Sequence, residues 1–273
     1  MATINSSMIF YLSPKVSVSK YNVKGEEDGQ IELPDVFRMP VRRDLILRAF
    51  LSEFTASIQP KARDPMAGKR TTARSIGIGH GVARVPRIKG GMRAAFAPMV
   101  RKGRAAFPPR LDEKIYEDIN KKEKRLAIMS SLAATAILDL VKERGHEFDA
   151  KTVPLVISSD VLNEIKKTKD AKEFLTKIGV YKDIERASER IKVRAGKGKM
   201  RGRTYKGVKS ILFIVEDYKS PFARAVINMP GVDVVKPEIV SVIHLSPGGV
   251  PGRLTVITTE ALNYLGKRFS LGD

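Results

Sequence analysis

The sequence predicts an α/β fold, an open and largely parallel sheet flanked by helices, with a long basic extended loop. The second half of the chain alternates short apolar runs with helical segments, as such sheets do. The run ILFIV at 211–215 is continuously apolar, which is typical of a strand buried on both faces. Residues 57–110 show neither a helical nor a strand period for any length. We expect a single globular domain over residues 1–273, with the loop at about 57–110 inserted into it and a second basic segment at about 192–209.

Composition narrows the class of protein. Hydrophobic residues make up 42% of the 273 residues, so a sizeable core can form outside the loop. The absence of cysteine excludes disulfides, thiolate metal sites and thiol nucleophiles, and it fits a reducing compartment. No apolar run approaches the roughly 20 residues that span a bilayer. The N-terminus, with 8–12 as its longest apolar run, lacks the charged start and long apolar region of a signal peptide.

The first half is predicted to contain two short strands and then two helices. Residues 8–12 (MIFYL) and 30–33 (QIEL) are predicted strands around a polar turn. Residues 41–58 are predicted to be helical and to stop before Pro60. The apolar positions at helical spacing are Leu47, Phe50, Leu51, Phe54 and Ile58.

A second helix is predicted over residues 120–144. Asn120 can cap its start with Glu123 as a capping-box partner, and Gly145 can close its end. Its middle, SSLAATA, consists of small residues that let a neighbouring element approach closely. The two helices flank the long insertion, and we expect them to pack near each other as its base.

The second half is predicted to alternate strands and helices. The predicted strands cover residues 153–158, 211–215, 232–235, 240–245 and 254–257. The predicted helices cover residues 160–167, 170–178, 183–191, 219–228 and 259–269. The last helix is expected to turn Leu262, Leu265 and Phe269 inward.

The net charge of +20 is concentrated in two segments. Residues 57–110 hold thirteen Lys or Arg and one acid, Asp64, and residues 192–209 hold eight bases and no acid. The rest of the chain holds 29 bases and 29 acids. A phosphate backbone rewards this segregation, because each neutralised phosphate releases condensed counterions. The charge pattern therefore predicts a nucleic-acid partner.

Residues that could carry catalysis or bind metals give weaker signals. None of the three histidines has an acid or second histidine at metal-ligand spacing. His146 follows a predicted helix end, where structural roles are commoner, and His80 lies in the basic loop, where contact with a base or phosphate is expected. Asp160, Asp217 and Asp233 lie near predicted strand ends, and such positions more often cap helices than catalyse reactions.

Two glycine-rich stretches resemble phosphate loops only superficially. Gly77, Gly79 and Gly81 form GxGxG without a buried strand before them, and residues 196–202 form GxGxxxG, which misses the dinucleotide spacing. Neither contains the lysine and hydroxyl ending of a P-loop. We expect no cofactor and no small-molecule substrate. Glycine here would let the backbone approach a crowded surface while neighbouring Arg and Lys reach phosphates.

The basic segments suit folded RNA. Arginine outnumbers lysine in the first, and its planar group can meet two phosphate oxygens or stack on a base. Few aromatics interleave, namely Phe96, Phe107 and Tyr205, which argues against a stacking platform for single strands. The composition favours insertion between preformed RNA helices.

Four stretches also carry a family resemblance. They are GIGHGVARVPRIKGG with RKGRAAFPPR, KKEKRLAIMSSLAATA with RGHEFD, AGKGKMRGRTYK with SILFI, and SPGGVPGRLTVIT. Together, and in this order over nearly the whole chain, they resemble the universal uL-four family of large-subunit ribosomal proteins in its archaeal and eukaryotic form. The resemblance implies an α/β domain on the solvent side of the large subunit and a cytoplasmic, ribosomal location. It also implies a non-enzymatic protein that binds early and helps fold the large-subunit RNA.

The resemblance further implies that the loop passes through ribosomal RNA to the wall of the nascent-peptide exit tunnel. There it would lie beside the loop of the uL-twenty-two protein and face the nascent polypeptide. The residues expected at the loop tip are Gly81, Val82, Arg84, Pro86, Arg87, Lys89, Gly90 and Gly91. The other residues expected to contact RNA are Lys61, Arg63, Lys69, Arg70, Arg74, His80, Arg93, Arg101, Lys102, Arg104, Arg110, Arg194, Lys197, Lys199, Arg201, Arg203, Tyr205 and Lys206.

Two other functions remain compatible with the residues alone. An α/β enzyme that acts on RNA, such as a methyltransferase, could hold its substrate with the basic loop, although the nucleotide fingerprint is absent. A DNA-binding protein is the other alternative, although no recognition-helix motif is present.

Overall fold

The computed structural model describes residues 16–270, so the strand predicted at 8–12 lies outside the described residues. The chain divides into two compact units. One, the body, contains the residues up to Phe54 and those from Asp118 onward. The other, the loop unit, runs from Thr55 to Glu117 and contains the predicted insertion.

The body is built on a six-stranded sheet with the order β2-β1-β3-β8-β6-β7. The β1–β2 pair is antiparallel and the other four pairs are parallel, which confirms the open, largely parallel sheet. A separate two-stranded sheet pairs β4 with β5. The strands are β1 (Ser17–Tyr21), β2 (Glu27–Glu32), β3 (Leu155–Ile157), β4 (Lys192–Val193), β5 (Tyr205–Lys206), β6 (Leu212–Ile214), β7 (Asp233–Val235) and β8 (Thr255–Thr258).

Helices follow most of the strands, as the alternating pattern predicts. They are α1 (Arg43–Ala56), α2 (Lys121–Thr135), α3 (Leu138–Glu143), α4 (Val161–Glu164), α5 (Thr168–Lys177), α6 (Tyr181–Glu189), α7 (Pro221–Val226), α8 (Val242–Leu245) and α9 (Thr259–Arg268). Short 3₁₀ turns at Asp35–Arg38, Gly196–Arg201 and Pro247–Gly249 complete the described elements.

The sheet separates two apolar clusters because successive strand residues point to opposite faces. In β6, Phe213 belongs to one cluster, whereas Leu212 and Ile214 belong to the other. Helices α4–α7 supply side chains to the first cluster and helices α1, α2, α8 and α9 to the second. All five residues of 211–215 are fully buried, which confirms the expectation of a strand covered on both faces.

Helix α1 forms where its spacing predicts it, but its buried face is a different one. Ile46, Ala49 and Ser52 are buried, whereas Leu47 and Phe54 remain almost half exposed. The buried Ile46 and Ala49 belong to the second apolar cluster, which also contains Leu132 of α2. The stripe of larger apolar residues therefore lies on the outer side of the helix.

Helices α1 and α2 face each other in the body, as expected for elements that flank the insertion. Glu53 accepts an ion pair from Lys124 at 3.1 Å, and Arg48 pairs with Glu123 at 3.3 Å. The Ser130 hydroxyl accepts a hydrogen bond from the Arg42 backbone N–H at 2.6 Å. Asn120 caps α2 as predicted, through the N–H of Lys122.

Two predicted elements differ from the structure. The helix predicted over 120–144 is interrupted at Ala136 and Ile137, where the chain leaves α2 before starting α3. The strand predicted over 240–245 was wrong, because Val242–Leu245 is a short helix that follows Ser241. Its buried apolar residues pack into the second cluster, and a short apolar run alone does not distinguish a strand from a buried helix.

Candidate nucleic-acid interface

The loop unit is held by turns and isolated backbone pairs. Every residue of it is described, and none beyond the end of α1 lies in a helix or a regular strand. Arg74 pairs with Arg87 and Arg87 pairs with Ala94, both antiparallel. At its two ends, the Glu117 N–H donates to the Thr55 hydroxyl at 3.2 Å. The unit is thus organised by a few hydrogen bonds and has little core of its own.

The predicted tip residues fall in two separate turns. The Arg74–Arg87 pair closes an excursion over 75–86, which contains Gly81, Val82, Arg84 and Pro86. The Arg87–Ala94 pair closes a second turn over 88–93, which contains Lys89, Gly90 and Gly91. Arg87 lies at the junction of both turns, half-buried, and its guanidinium donates to the Met92 carbonyl oxygen.

The loop cations are mostly displayed to solvent. Arg87 and Arg104 are half-buried, and the Arg104 guanidinium lies 5.9 Å from the centroid of the Phe96 ring. Arg70 pairs with Asp64, the acid of this segment, at 2.6 Å. His80 is exposed. The exposed cations are Lys61, Arg63, Lys69, Arg70, Arg74, Arg84, Lys89, Arg93, Arg101, Lys102 and Arg110. Most of the charge in this segment is therefore accessible to a polyanion.

The second basic segment forms a small hairpin that the sequence did not predict. Strands β4 and β5 pair antiparallel and are joined through a 3₁₀ turn that ends at Gly202, whose φ is 73°. The Arg194 guanidinium donates to the carbonyl oxygens of Arg203 at 3.2 Å and Tyr205 at 3.5 Å, so it braces the hairpin. The exposed predicted contacts are Lys197, Lys199, Arg201, Arg203, Tyr205 and Lys206.

A buried ionic cluster fixes the root of this hairpin to the body. The fully buried Asp183 carboxylate accepts hydrogen bonds from Ser210 at 2.7 Å, Arg186 at 2.8 Å and His146 Nδ1 at 3.0 Å. Arg186 also donates to the Lys209 carbonyl oxygen at 3.2 Å. The residues where the hairpin rejoins the sheet are therefore held by side chains of the core.

Arg253 also holds the residues at the root of the hairpin, through hydrogen bonds to backbone carbonyl oxygens and an ion pair. Its fully buried guanidinium donates to the carbonyl oxygens of Ser210 and His244, both at 2.8 Å, and pairs with Asp233 at 2.7 Å. Lys209 adds a second ion pair to Asp233 at 2.8 Å. Sequence reasoning missed Arg253 and Asp183, because their partners lie far away along the chain and nothing in the local pattern marks a buried charge.

Burial and hydrogen bonding shift the pKa values of Asp183 and His146 in this cluster. Burial alone would raise the pKa of Asp183, but hydrogen bonds from His146, Arg186 and Ser210 outweigh it and hold that pKa below its usual range. Burial lowers the pKa of His146 despite the neighbouring carboxylate. The His146 imidazole is therefore neutral near pH 7 and donates its Nδ1–H to Asp183. The cluster is a structural anchor, as expected for a histidine beside a helix end.

The acids near strand ends also have structural partners. Asp160 accepts a hydrogen bond from the Ser158 hydroxyl at 2.7 Å, and Asp217 accepts one from the Lys219 N–H at 3.1 Å. Within residues 16–270, no group of three His, Asp or Glu side chains could hold a metal ion. No helix in that same range is long and apolar enough to cross a membrane.

Fold and interface together define a protein that carries two cationic extensions on an electrically balanced α/β body. Comparison with known families gives the class. The family described as "Ribosomal protein L4/L1 family" matches residues 31–268, so the chain belongs to this family of structural, non-enzymatic ribosomal proteins.

Curated relatives agree with this assignment. The chain is 57% identical to "Large ribosomal subunit protein uL4" of Aeropyrum pernix over 264 aligned residues. This alignment covers 97% of each chain. It is 53% identical to the protein of the same name from Sulfolobus acidocaldarius, over 92% of this chain and 94% of that one. It is 51% identical to that of Sulfurisphaera tokodaii, over 91% and 93% of the two chains. These sources are archaeal, which confirms the resemblance found in the sequence motifs.

Proposed function

We propose that this protein is a structural constituent of the large ribosomal subunit that binds large-subunit ribosomal RNA and helps it fold. The observation that carries the proposal is the segregation of charge. Most cations of the two basic segments are exposed, whereas the remainder of the chain is electrically balanced. The names of the archaeal relatives support the large subunit as the site of action.

The two segments would bind RNA in different ways. The hairpin at 192–209 is braced by Arg194 and anchored at Ser210, so little ordering accompanies its binding. The loop unit has few internal hydrogen bonds, and RNA packed around it would supply the contacts that its own chain lacks. Both segments would act through phosphate neutralisation and shape, without bond chemistry.

The loop would extend to the wall of the nascent-peptide exit tunnel. Its excursion over 75–86 is closed at the base by the Arg74–Arg87 pair. It would there approach the uL-twenty-two protein and the nascent polypeptide, in a cytoplasmic ribosome. The family resemblance supports this placement.

Binding measurements test the RNA function directly. The protein should bind folded large-subunit RNA more tightly than duplex DNA of equal length at physiological salt. If roughly eight phosphates are neutralised, the log–log salt slope should be on the order of −5 to −7. Equal affinity for both polymers would contradict RNA recognition. Saturable binding of S-adenosylmethionine or ATP would favour the alternative of an RNA-modifying enzyme.

Protease protection tests the loop placement. Cleavage within the loop unit should be rapid in the free protein and suppressed in assembled large subunits. Co-sedimentation with large subunits after a high-salt wash would show stable incorporation. Equal cleavage in the free and assembled states would contradict insertion into RNA.

A further inference from the structure

We propose that the loop unit contains a receptor for one unstacked nucleotide of the bound RNA, with apolar contacts for the base and cations for its phosphate. This site rests on the RNA-binding function proposed above. It adds a specific contact to an interface that would otherwise read only backbone charge and shape.

The receptor is a cavity of about 300 Å³ formed by the loop unit alone. Met66, Ile88 and Phe96 give it an apolar, partly aromatic lining. Its volume lies at the lower end of the roughly 300–1,000 Å³ that is usual for ligand pockets. The cavity therefore has room for a single nucleotide and not for a stacked helix. An aromatic ring can stack on any base, since every base has a π face.

Cations line the same cavity. Arg70, Arg93, Arg101 and Lys102 all contribute to its wall. Arg70 holds Asp64, whereas the other three have no ion pair with an acid in the described part of the chain. An inorganic anion would not need the apolar lining, and an aliphatic side chain would not need the cations. A nucleotide, with a flat base and a phosphate, matches both features.

Backbone conformation sets this cavity apart from the rest of the loop. Phe96 has φ of 66° and Lys102 has φ of 63°, and no other non-glycine residue in 16–270 has a positive φ. Both residues line the cavity. A bulky side chain is disfavoured in this region, and residues held there concentrate at ligand sites. The two non-glycine residues with positive φ in the described part of the chain thus both lie in the wall of this cavity.

Close backbone contacts hold the cavity wall in place. A Cβ added at Gly103 would lie 1.9 Å from the Ala97 carbonyl oxygen. A Cβ added at Gly68 would lie 2.5 Å from the Gly103 carbonyl group. Since neither position tolerates a side chain, the segments before and after the two tip turns meet backbone to backbone. These two contacts constrain the local backbone beside the cavity, while the rest of the loop unit would be ordered by RNA.

A ring deletion inside the cavity can be compared with one outside it. Phe96→Gly removes the aromatic ring, and glycine accepts the positive φ without steric strain. Phe107→Gly makes the same chemical change at a ring that is 98% exposed and does not line the cavity. Phe96→Tyr keeps an aromatic ring at the site. Each variant would be titrated with folded large-subunit RNA at fixed salt, and base reactivity would be probed in each complex.

Phe96→Gly should weaken RNA binding on the order of tenfold without changing the salt slope, because a stacked base is lost and no phosphate contact is. One unpaired nucleotide protected by the wild-type protein should become reactive, and Phe96→Tyr should keep it protected. Two results would overturn the proposal. One is an equal loss of RNA affinity for Phe96→Gly and Phe107→Gly, and the other is a nucleotide that stays protected in the Phe96→Gly complex.

Two further measurements distinguish failure of the nucleotide receptor from failure of the RNA-binding function on which it rests. If Phe96→Gly is harmless while Arg93→Gln with Arg101→Gln lowers affinity and salt slope, the receptor fails and RNA binding stands. If the wild-type protein prefers no RNA over duplex DNA, the RNA function itself fails. Free AMP should bind weakly and be displaced by the RNA. Tight AMP binding that the RNA cannot displace would show a small-molecule site and overturn an RNA nucleotide as the ligand.

Discussion

Arg74 and Arg87 exchange both of their backbone hydrogen bonds, with N–O distances of 3.1 and 2.9 Å. These two bonds close the excursion over 75–86 at its base. Arg87 also pairs with Ala94, so one residue joins both turns of the predicted tip. The tip is therefore an appendage with its own closure, and it can be altered without disturbing the segments that lead to it.

Replacing residues 75–86 with Asn-Gly should leave the body folded. The pair at Arg74 and Arg87 would flank a two-residue hairpin turn, which Asn-Gly favours. We expect an unchanged cooperative thermal transition by circular dichroism, together with defective subunit assembly or tunnel function. Loss of the cooperative transition would show that the excursion belongs to the folding core.

Charge reversal in the hairpin should weaken RNA binding more than stability. Arg201→Glu with Arg203→Glu places two acids on an exposed surface. Lys166→Glu with Lys169→Glu makes an equal change of net charge at exposed positions of the body outside the basic segments. We expect the hairpin pair to lower RNA affinity and reduce the salt slope by about 2, since each lost phosphate contact removes about one unit. Equal effects from the two pairs would indicate only a general dependence on net charge.

Asp183→Asn should destabilise the body strongly. The substitution leaves the Arg186 guanidinium, which is buried, without its carboxylate. Removing one partner of a buried ion pair costs about 3–5 kcal/mol. We expect a large drop in the melting temperature, measured by calorimetry. Asp149→Asn, which breaks the exposed pair with Lys182, is the control and should change the melting temperature little.

Stability should fall as the pH drops below the ordinary histidine pKa of about 6.5. Burial lowers the pKa of His146, so the unfolded state binds more protons than the folded state between the two pKa values. The stability that neutral His146 supports is therefore present above this window and is lost on acidification through it. Burial also lowers the pKa of His244, so its titration likewise reduces stability as the pH falls.

His146→Gln should flatten part of that decline, because glutamine can still donate to Asp183 but does not titrate. Urea unfolding between pH 5 and pH 8 would measure the effect, with His80→Gln, an exposed site, as the control. An identical pH profile for wild type and His146→Gln would refute the assignment. Below about pH 4 a second loss of stability begins, because the unfolded state binds a proton at Asp183 while the lowered pKa keeps the folded carboxylate ionised.

Gly103→Ala should disturb the loop unit without unfolding the body. The added Cβ would collide with the Ala97 carbonyl oxygen, so the local backbone must shift. Gly91→Ala is the matched control, because a Cβ there meets nothing within 4 Å. We expect weaker RNA binding and faster proteolysis of the loop for Gly103→Ala only, with the same body melting temperature for both. Identical behaviour of the two variants would mean that the close approach at Gly103 is unimportant.

The sequence predicted the elements whose pattern is local. The buried run at 211–215, the inward residues Leu262 and Leu265 of α9, and Phe269 directly after that helix are buried as expected, because periodicity records which face meets the core. The wrong strand at 240–245 shows the limit, since four to six apolar residues fit a strand or a buried helical turn equally well. Strand β1, with the polar sequence SVSKY, was missed because it lies next to the edge of the sheet and carries little apolar signal.

The basic segments were visible as charge, but their geometry was not. The hairpin between β4 and β5 depends on two-residue strands, which are too short to leave a periodic pattern. Its anchoring by Asp183 and Arg253 depends on contacts between distant parts of the chain. Composition therefore predicts which residues would meet a polyanion, while tertiary packing determines how firmly each segment is held.

The burial of Arg253 makes the position of the second basic segment depend on the folding of the sheet. Its guanidinium is satisfied only when Ser210, His244 and Asp233 have all reached their native positions. In a chain whose sheet is incomplete, the hairpin of the second basic segment is therefore not fixed to the body. Presentation of the second basic segment therefore depends on complete folding of the sheet, whereas the excursion over 75–86 in the loop unit is closed by its own Arg74–Arg87 pair.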